Sequence, residues 1–458
     1  MIRILNITII GVALLGLALT GKVSAAEVGS LQAGAAKIDV TPDANAIPSP
    51  KLFNSILDPL YVRAIYLENG HDRALLMNAD NVVLNTFMCE RVAKRISEKM
   101  NVPLTNILIS ATHDHSAMFG GPGWAGGDNA PNVKAYNAKL ESSLFAVAEQ
   151  AKANSKPARI GYGTGMLYLN VNRDAIDDQS RLWAQEPNIE YPSDKTLAVV
   201  KIESLSGEPI AVYMNYAMHA ISLFLDGKIS GDFPGEAERY LEHFYNDKAV
   251  VLWTSGAAGD QNPLYVRANS VIRKDAQWKT KMFSVGSTAD NDEIDPVAME
   301  ESLELVKSEG QITAEEAIRI MSHIRVMNTN VAIEGAQDIV TCPGRRRLDN
   351  RREGGAGMYE DSPDPIRIKI GALKIGDIAL GSANAELYSM IGQQVKQGSK
   401  FRDTIMVTLT NGMANSGYIP TDDAFGRYTF QVLSSALRPG CAEKKIVDGV
   451  DNMLERMN

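Results

Sequence analysis

The stretch Asn106-Ile107-Leu108-Ile109-Ser110-Ala111-Thr112-His113-Asp114-His115-Ser116 decides how this chain is read. A short apolar run bounded by polar residues is the pattern of a buried strand, and this one runs straight into two histidines. In an extended backbone, residues two apart share a face, so His113 and His115 leave the strand end together, ~7 Å apart along the chain. Two imidazoles aimed the same way suit a metal ion or a reacting centre. The chain has only six histidines, so two of them here is a concentration. The competing reading is a polar strand end with incidental histidines.

Two more segments end alike. Tyr213-Met214-Asn215-Tyr216-Ala217-Met218-His219-Ala220 continues the apolar run from Pro209 and again finishes in a histidine. Ala249-Val250-Val251-Leu252-Trp253 leads into Thr254-Ser255-Gly256-Ala257-Ala258-Gly259-Asp260-Gln261-Asn262-Pro263. Between them, Ser230-Gly231-Asp232-Phe233-Pro234-Gly235-Glu236 opens a helical pattern, with proline and acids where a helix start prefers them. Sites in open α/β folds assemble where strand ends converge. Asp232 and Asp260 read either as carboxylates orienting His219 or His115, or as helix caps.

The rest of the chain gives an α/β fold with mixed, largely antiparallel sheets covered by helices. Ala35 to Val40 opens the sheet. Leu60 to Leu67 pairs with Arg73 to Asn78 across Asn69-Gly70, and Ile366 to Leu380 folds back near Gly376-Asp377. Helices are expected over Cys89 to Met100, Ala135 to Lys152 and Glu236 to Tyr245. A charged, helical excursion occupies about 267–325, with Ala314 to Met327 its clearest helix. Gly120 to Gly127 reads as a lid in which Trp124 covers a ligand, or as a plain surface loop. Candidate site residues spread from 113 to 428 favour one large domain over 26–458.

The first 25 residues read as a secretory leader: Arg3, an apolar core from Ile7 to Leu19, then Val23-Ser24-Ala25. The core is too short to span a bilayer, so the protein is expected to be exported, periplasmic or secreted, with no transmembrane segment. Formal charge is −9, and losing Arg3 and Lys22 leaves −11. An acidic chain without a basic run argues against nucleic-acid partners. The one basic cluster, Arg345 to Arg347 with Arg351 and Arg352, is a solvated loop or a contact for an anionic group. Of three cysteines, Cys342 and Cys441 can pair in an oxidising compartment, which leaves Cys89 buried and unpaired.

The ordered set of motifs resembles the catalytic domain of the neutral (non-lysosomal) ceramidases. It runs through Ala111-Thr112-His113-Asp114-His115-Ser116, Asn170-Val171-Asn172-Arg173, Asp194-Lys195, Met218-His219 with Ser230-Gly231-Asp232, and Gly259-Asp260. Asn384-Ala385-Glu386, Gly417-Tyr418-Ile419-Pro420-Thr421 and Tyr428 follow. That family also carries a C-terminal immunoglobulin-like module, which this chain is expected to lack. The resemblance implies a zinc amidase in which His113, His219, Glu386 and Tyr418 hold the Zn2+. His115, Arg173 and Tyr428 then surround the scissile amide, and metal-activated water cleaves an N-acylsphingosine or related N-acyl amide. Read without the family, Glu386 serves a helix dipole, and the two tyrosines are half-buried residues of no special role.

One departure stands out. Where the family carries Gly-Asp-Val-Ser-Pro-Asn with a serine assigned a catalytic role, this chain has Gly259-Asp260-Gln261-Asn262-Pro263. An amide is no nucleophile, but Asn262 can donate a hydrogen bond to a substrate oxygen. Two alternatives follow: a zinc hydrolase of a non-lipid exported amide, ester or lactone, and a catalytically inactive secreted ligand-binding protein on the same scaffold. A metallo-β-lactamase-like site wants a further Asp-His after the pair, and an amidohydrolase barrel wants more histidines than His71, His243 and His323 supply.

Overall fold

Alternation along Tyr61–Asn69 lays out the layers. Val62, Ala64 and Tyr66 join one apolar core and Ile65 and Leu67 another, as period-two side chains on a sheet buried on both faces must. The computed structural model describes residues 31–48, 53–117, 130–223, 227–266, 268, 296–349 and 353–457. The expected leader, the Gly120–Gly127 loop with Trp124, most of 267–295, and Arg351 and Arg352 lie outside the described residues.

Eight strands form the large sheet, in the order 250–255, 209–216, 196–204, 156–166, 32–39, 61–69, 72–79 and 107–111. Four form a smaller one, in the order 333–342, 366–375, 378–383 and 403–407. Leu67, Leu76, Ile160 and Val200 of the large sheet share a core with Ile333, Leu373, Leu380 and Val407 of the small one, so the sheets pack face to face. Helices Thr86–Met100 and Pro131–Ala153 cover part of the large sheet's other face. Asp232–Phe244 and Pro296–His323 cover the rest of it. Ser389–Gly398 and Ala442–Arg456 cover the small sheet. The order from outside to outside is helices, sheet, sheet, helices, and both sheets are mixed, with antiparallel pairs in the majority.

The two hairpins form as expected, with Asn69 paired to Asp72 and Ile375 to Ile378. Gly70 and Gly376 supply the positive φ that each tight turn requires (64° and 62°). The helix of the excursion stops at His323 rather than Met327. Its continuation is taken by Asn328, which exchanges backbone hydrogen bonds with Ile160. No helix among the described residues is long and apolar enough to cross a membrane.

Cys342 and Cys441 form a disulfide across 99 residues, and Cys89 is free and buried. Closing so long a loop removes much of the unfolded chain's entropy. A Cys342→Ala/Cys441→Ala protein is therefore expected to lose about 4 kcal/mol of stability. An unchanged denaturant midpoint would contradict this.

The described part of the basic cluster, Arg345 to Arg347, is satisfied within the fold. Arg345 donates to the Val432 and Ser435 carbonyls and lies over Tyr359, Arg346 pairs with Glu360, and Arg347 pairs with Asp349.

Candidate metal centre

The site begins where Ile107–Ala111 ends. The strand stops at Ala111, and His113 turns left-handed, with φ 65°. His115 then opens a short 3-10 turn. The expectation that both histidines sit on extended backbone is therefore wrong. The turn arises because this segment leaves the sheet edge to join the His219 loop: Asp114 bridges Ala220, and the His115 N–H donates to the Ala220 carbonyl at 3.0 Å. The rings converge all the same. Centroids lie 4.8 Å apart for His113 and His115, and 4.5 Å for His113 and His219. A left-handed non-glycine residue stores strain, which is tolerated where the surroundings over-determine it.

Backbone carbonyls fix two of these rings. Nδ1 of His113 faces the Val82 carbonyl at 3.0 Å, and Nδ1 of His219 faces the Gln261 carbonyl at 3.1 Å. A carbonyl only accepts, so each Nδ1 carries the proton and each Nε2 is left as a lone pair in the neutral ring. Both Nε2 atoms are buried without a hydrogen-bond partner. They point at the same carboxylate oxygen, Oε2 of Glu386, at 3.2 and 3.3 Å. Two lone pairs and an anionic oxygen in one dry place call for a cation between them. One ligand atom from each of His113, His115 and His219 lies within 4.8 Å of the others, and this buried group can hold a metal ion.

Glu386 arrives from the second sheet. It does not sit in the first turn of the following helix, which starts at Ser389 after Tyr388, so the helix-dipole reading is overturned. Glu386–Leu387 instead pairs in parallel with Tyr418–Ile419, with Glu386 directly beside Tyr418. Residues far apart in sequence thus reach the histidines together. The Tyr418 ring lies 6.4 Å from that of His219, nearly parallel to it.

Arg173 comes from the strand Asn170–Ile176 and is almost wholly buried. Its Nη2 donates to the Gly259 carbonyl at 2.6 Å and its Nη1 to Oδ1 of Asn262 at 3.1 Å, while the guanidinium lies 5.3 Å from the Tyr418 ring. Gly259 is needed at this place, because a Cβ there would meet the Leu387 carbonyl at 2.8 Å. Sequence reading missed this carbonyl, along with those of Val82 and Gln261, since no side chain announces a backbone acceptor.

Asp260 and Asp232 do not orient the rings. Asp260 accepts from the Ser389 N–H and hydroxyl and from Asn172, and so ties the Glu386 segment to the Arg173 strand. Asp232 opens its helix and accepts from the Leu223 N–H, holding the turn after His219. Tyr428 is the site candidate set apart. It is half-buried and left-handed (φ 53°), with its phenol near Arg345 and Tyr359. No side-chain hydrogen bond or ring contact among the described residues joins it to the histidines.

Electrostatics favour an ionised Glu386. Burial pushes Glu386 up, but His113 and His219 outweigh it and hold the carboxyl well below its usual range. Burial, with Arg173 and His113 nearby, pushes His219 down to about 3. Burial and the other two histidines lower His115 well below 6.5. Burial and Glu386 raise Tyr418, which stays a phenol.

For metal-free protein these shifts predict that His219 does not titrate between pH 7 and 5. Its folded pKa lies below the unfolded one, so the unfolded chain binds the extra proton between about pH 6.5 and 3. The contribution of neutral His219 is then intact above pH ~6.5 and falls by ~1.4 kcal/mol per pH unit below it. A ring-proton NMR titration with a midpoint near 6.5 would contradict the prediction.

A family model described as "Neutral/alkaline non-lysosomal ceramidase, N-terminal" matches residues 54–345. The chain is 21% identical to "Neutral ceramidase B" of Dictyostelium discoideum over 485 residues, covering 84% of this chain and 67% of that one. "Neutral ceramidase A" of the same organism is 24% identical over 217 residues, 45% of this chain and 30% of that one. Among solved structures, the neutral ceramidase from Pseudomonas aeruginosa shares the fold with a TM-score of 0.70 at 16% identity, over 93% of this chain and 74% of that one. A ceramidase complexed with C2 gives the same TM-score and identity over 75% of its chain. With a family match over well more than half its length and that shared α/β fold, the chain belongs to the neutral/alkaline non-lysosomal ceramidase family and is a ceramidase-like hydrolase.

Proposed function

We propose that this protein is a zinc-dependent hydrolase that cleaves an N-acyl amide bond, with ceramide as the first substrate to test. The observation that carries the reading is the meeting of two carbonyl-locked imidazole lone pairs on one carboxylate oxygen. Two imidazoles, a carboxylate and a phenol form a nitrogen and oxygen set that suits zinc. His113, His219, Glu386 and Tyr418 are assigned to hold it. When bound, such a metal supplies Lewis acidity, polarising a carbonyl and bringing the pKa of water towards ~7.

The remaining residues divide the proton and charge work. Neutral His115 takes a proton from the attacking water as the carbon–oxygen bond forms. It passes that proton to the amine nitrogen as the carbon–nitrogen bond breaks, giving a carboxylic acid and an amine. Arg173 donates to the oxygen on which negative charge develops. Tyr428 is assigned to the substrate side on the family pattern alone. The Cys342–Cys441 disulfide supports an oxidising compartment, and with the leader-like first 25 residues it supports export. Residues 26–458 are assigned to a single catalytic domain.

A second reading, hydrolysis of another exported amide, ester or lactone, is favoured by one observation: Asn262 lies on the Arg173 guanidinium. A panel of short- and long-chain ceramides, N-acyl amino acids and sugar esters, each followed by release of the free acid, separates the two. Acid release from a ceramide supports the first. Turnover of polar substrates alone rejects it in favour of the second. Saturable binding with no product from any compound would mean an inactive binding protein.

A further inference from the structure

Arg173 is a buried cation with no carboxylate of its own. Among the described residues it makes no ion pair, and its hydrogen-bond acceptors are a carbonyl, a carboxamide and the Tyr418 hydroxyl, all neutral. Its Nε is buried without a partner. The carboxylates whose charge it feels are engaged elsewhere: Glu386 with His113 and His219, Asp174 with Arg427, and Glu353 with the Phe430 N–H. Leaving a buried cation uncompensated is costly unless an anionic group arrives.

Asn262 sharpens the same demand. A carboxamide can be placed either way round, but a guanidinium only donates, so the atom facing Arg173 must be Oδ1. Nδ2 then points away from the guanidinium and makes no hydrogen bond among the described residues. Asn262 is held by its backbone in the strand Gln261–Pro263, opposite Val171. With its acceptor end turned to Arg173, the end left free for a substrate is the Nδ2 donor.

We propose that Asn262 and Arg173 form a specificity wall for an acceptor, so that the preferred substrate carries a carboxylate next to the scissile amide, as an N-acyl amino acid does. The proposal rests on the amide-hydrolase reading and names its substrate class. A hydroxyl at that place meets the donors less well, because its own proton is left without an acceptor. A site built on buried polar groups rejects the ligand that leaves them unpaired.

The test compares two compounds of one acyl chain and nearly one size: an N-acylglycine, with a carboxylate, and the matching N-acylethanolamine, with a hydroxyl. Wild type is expected to prefer the carboxylate in kcat/KM by ~10-fold or more. In Asn262→Asp, a near-isosteric change, the new carboxylate neutralises Arg173 and turns an acceptor towards the substrate. The preference should fall at least ~10-fold. Asn262→Ser serves as the second variant and should lower the ratio as well, since a serine hydroxyl can accept. Calorimetric binding of both compounds to wild type and to both variants gives a readout that does not need turnover. Binding that prefers the carboxylate in wild type and loses the preference in Asn262→Asp, without hydrolysis of either compound, keeps the wall and sinks the hydrolase reading. A wild-type ratio of one or below, or a ratio unmoved by both variants, overturns the proposal.

Discussion

His219→Ala protein is expected to purify without stoichiometric metal and to lose turnover by more than the ~10²–10⁴-fold that one acid/base group contributes. The reason is geometric. His219 is locked by the Gln261 carbonyl, and its Nε2 is one of the two lone pairs facing Glu386. Removing it leaves His113, Glu386 and Tyr418, one ligand short, and a metal site short of a ligand loses affinity steeply. The fold should persist, because His219 lies past the strand that ends at Tyr216 and its ring hydrogen-bonds one backbone carbonyl. Metal analysis and circular dichroism on the same sample check both halves. A folded variant that retains one equivalent of zinc would remove His219 from the ligand set.

The second large effect belongs to Arg173. Arg173→Met is expected to lower kcat by ~10²–10³-fold, the usual cost of losing one donor to developing charge, and to raise KM for a carboxylate-bearing substrate, while metal content stays near wild type. Stability should move less than for most buried substitutions. Losing the donor to Gly259 and Asn262 costs about 1–3 kcal/mol per group, but removing a buried cation without a carboxylate partner offsets it. That split separates transition-state stabilisation from scaffolding. Loss of zinc together with activity would show that Arg173 acts by holding the site in shape.

Much of this was legible in the sequence because local chemistry forces it. The apolar run Ile107–Ala111 had to be a buried strand, and Asn69-Gly70 and Gly376 had to be turns. His113 and His219 stood out because histidine at the end of an apolar strand has few structural uses. What could not be read depended on partners distant in sequence. The left-handed turn at His113 exists because Asp114 bridges Ala220, more than a hundred residues away. The Glu386–Tyr418 pairing is a ladder of two residues per strand, too short to leave a periodic signal. Glu386 looked like a helix-start residue because Ser389 really does begin a helix three positions later. The carbonyls of Val82, Gln261 and Gly259, which set both imidazoles and the guanidinium, carry no side-chain signature at all.

One titration of activity against metal tests the zinc site. Purified protein, stripped by a chelator and freed of it, is assayed for acid release from N-acyl substrates as zinc is added back. No turnover is expected in the stripped protein, with a linear return that breaks at one zinc per chain. Full turnover by the stripped protein, or no return of activity with zinc in protein that is still folded, would contradict the zinc site.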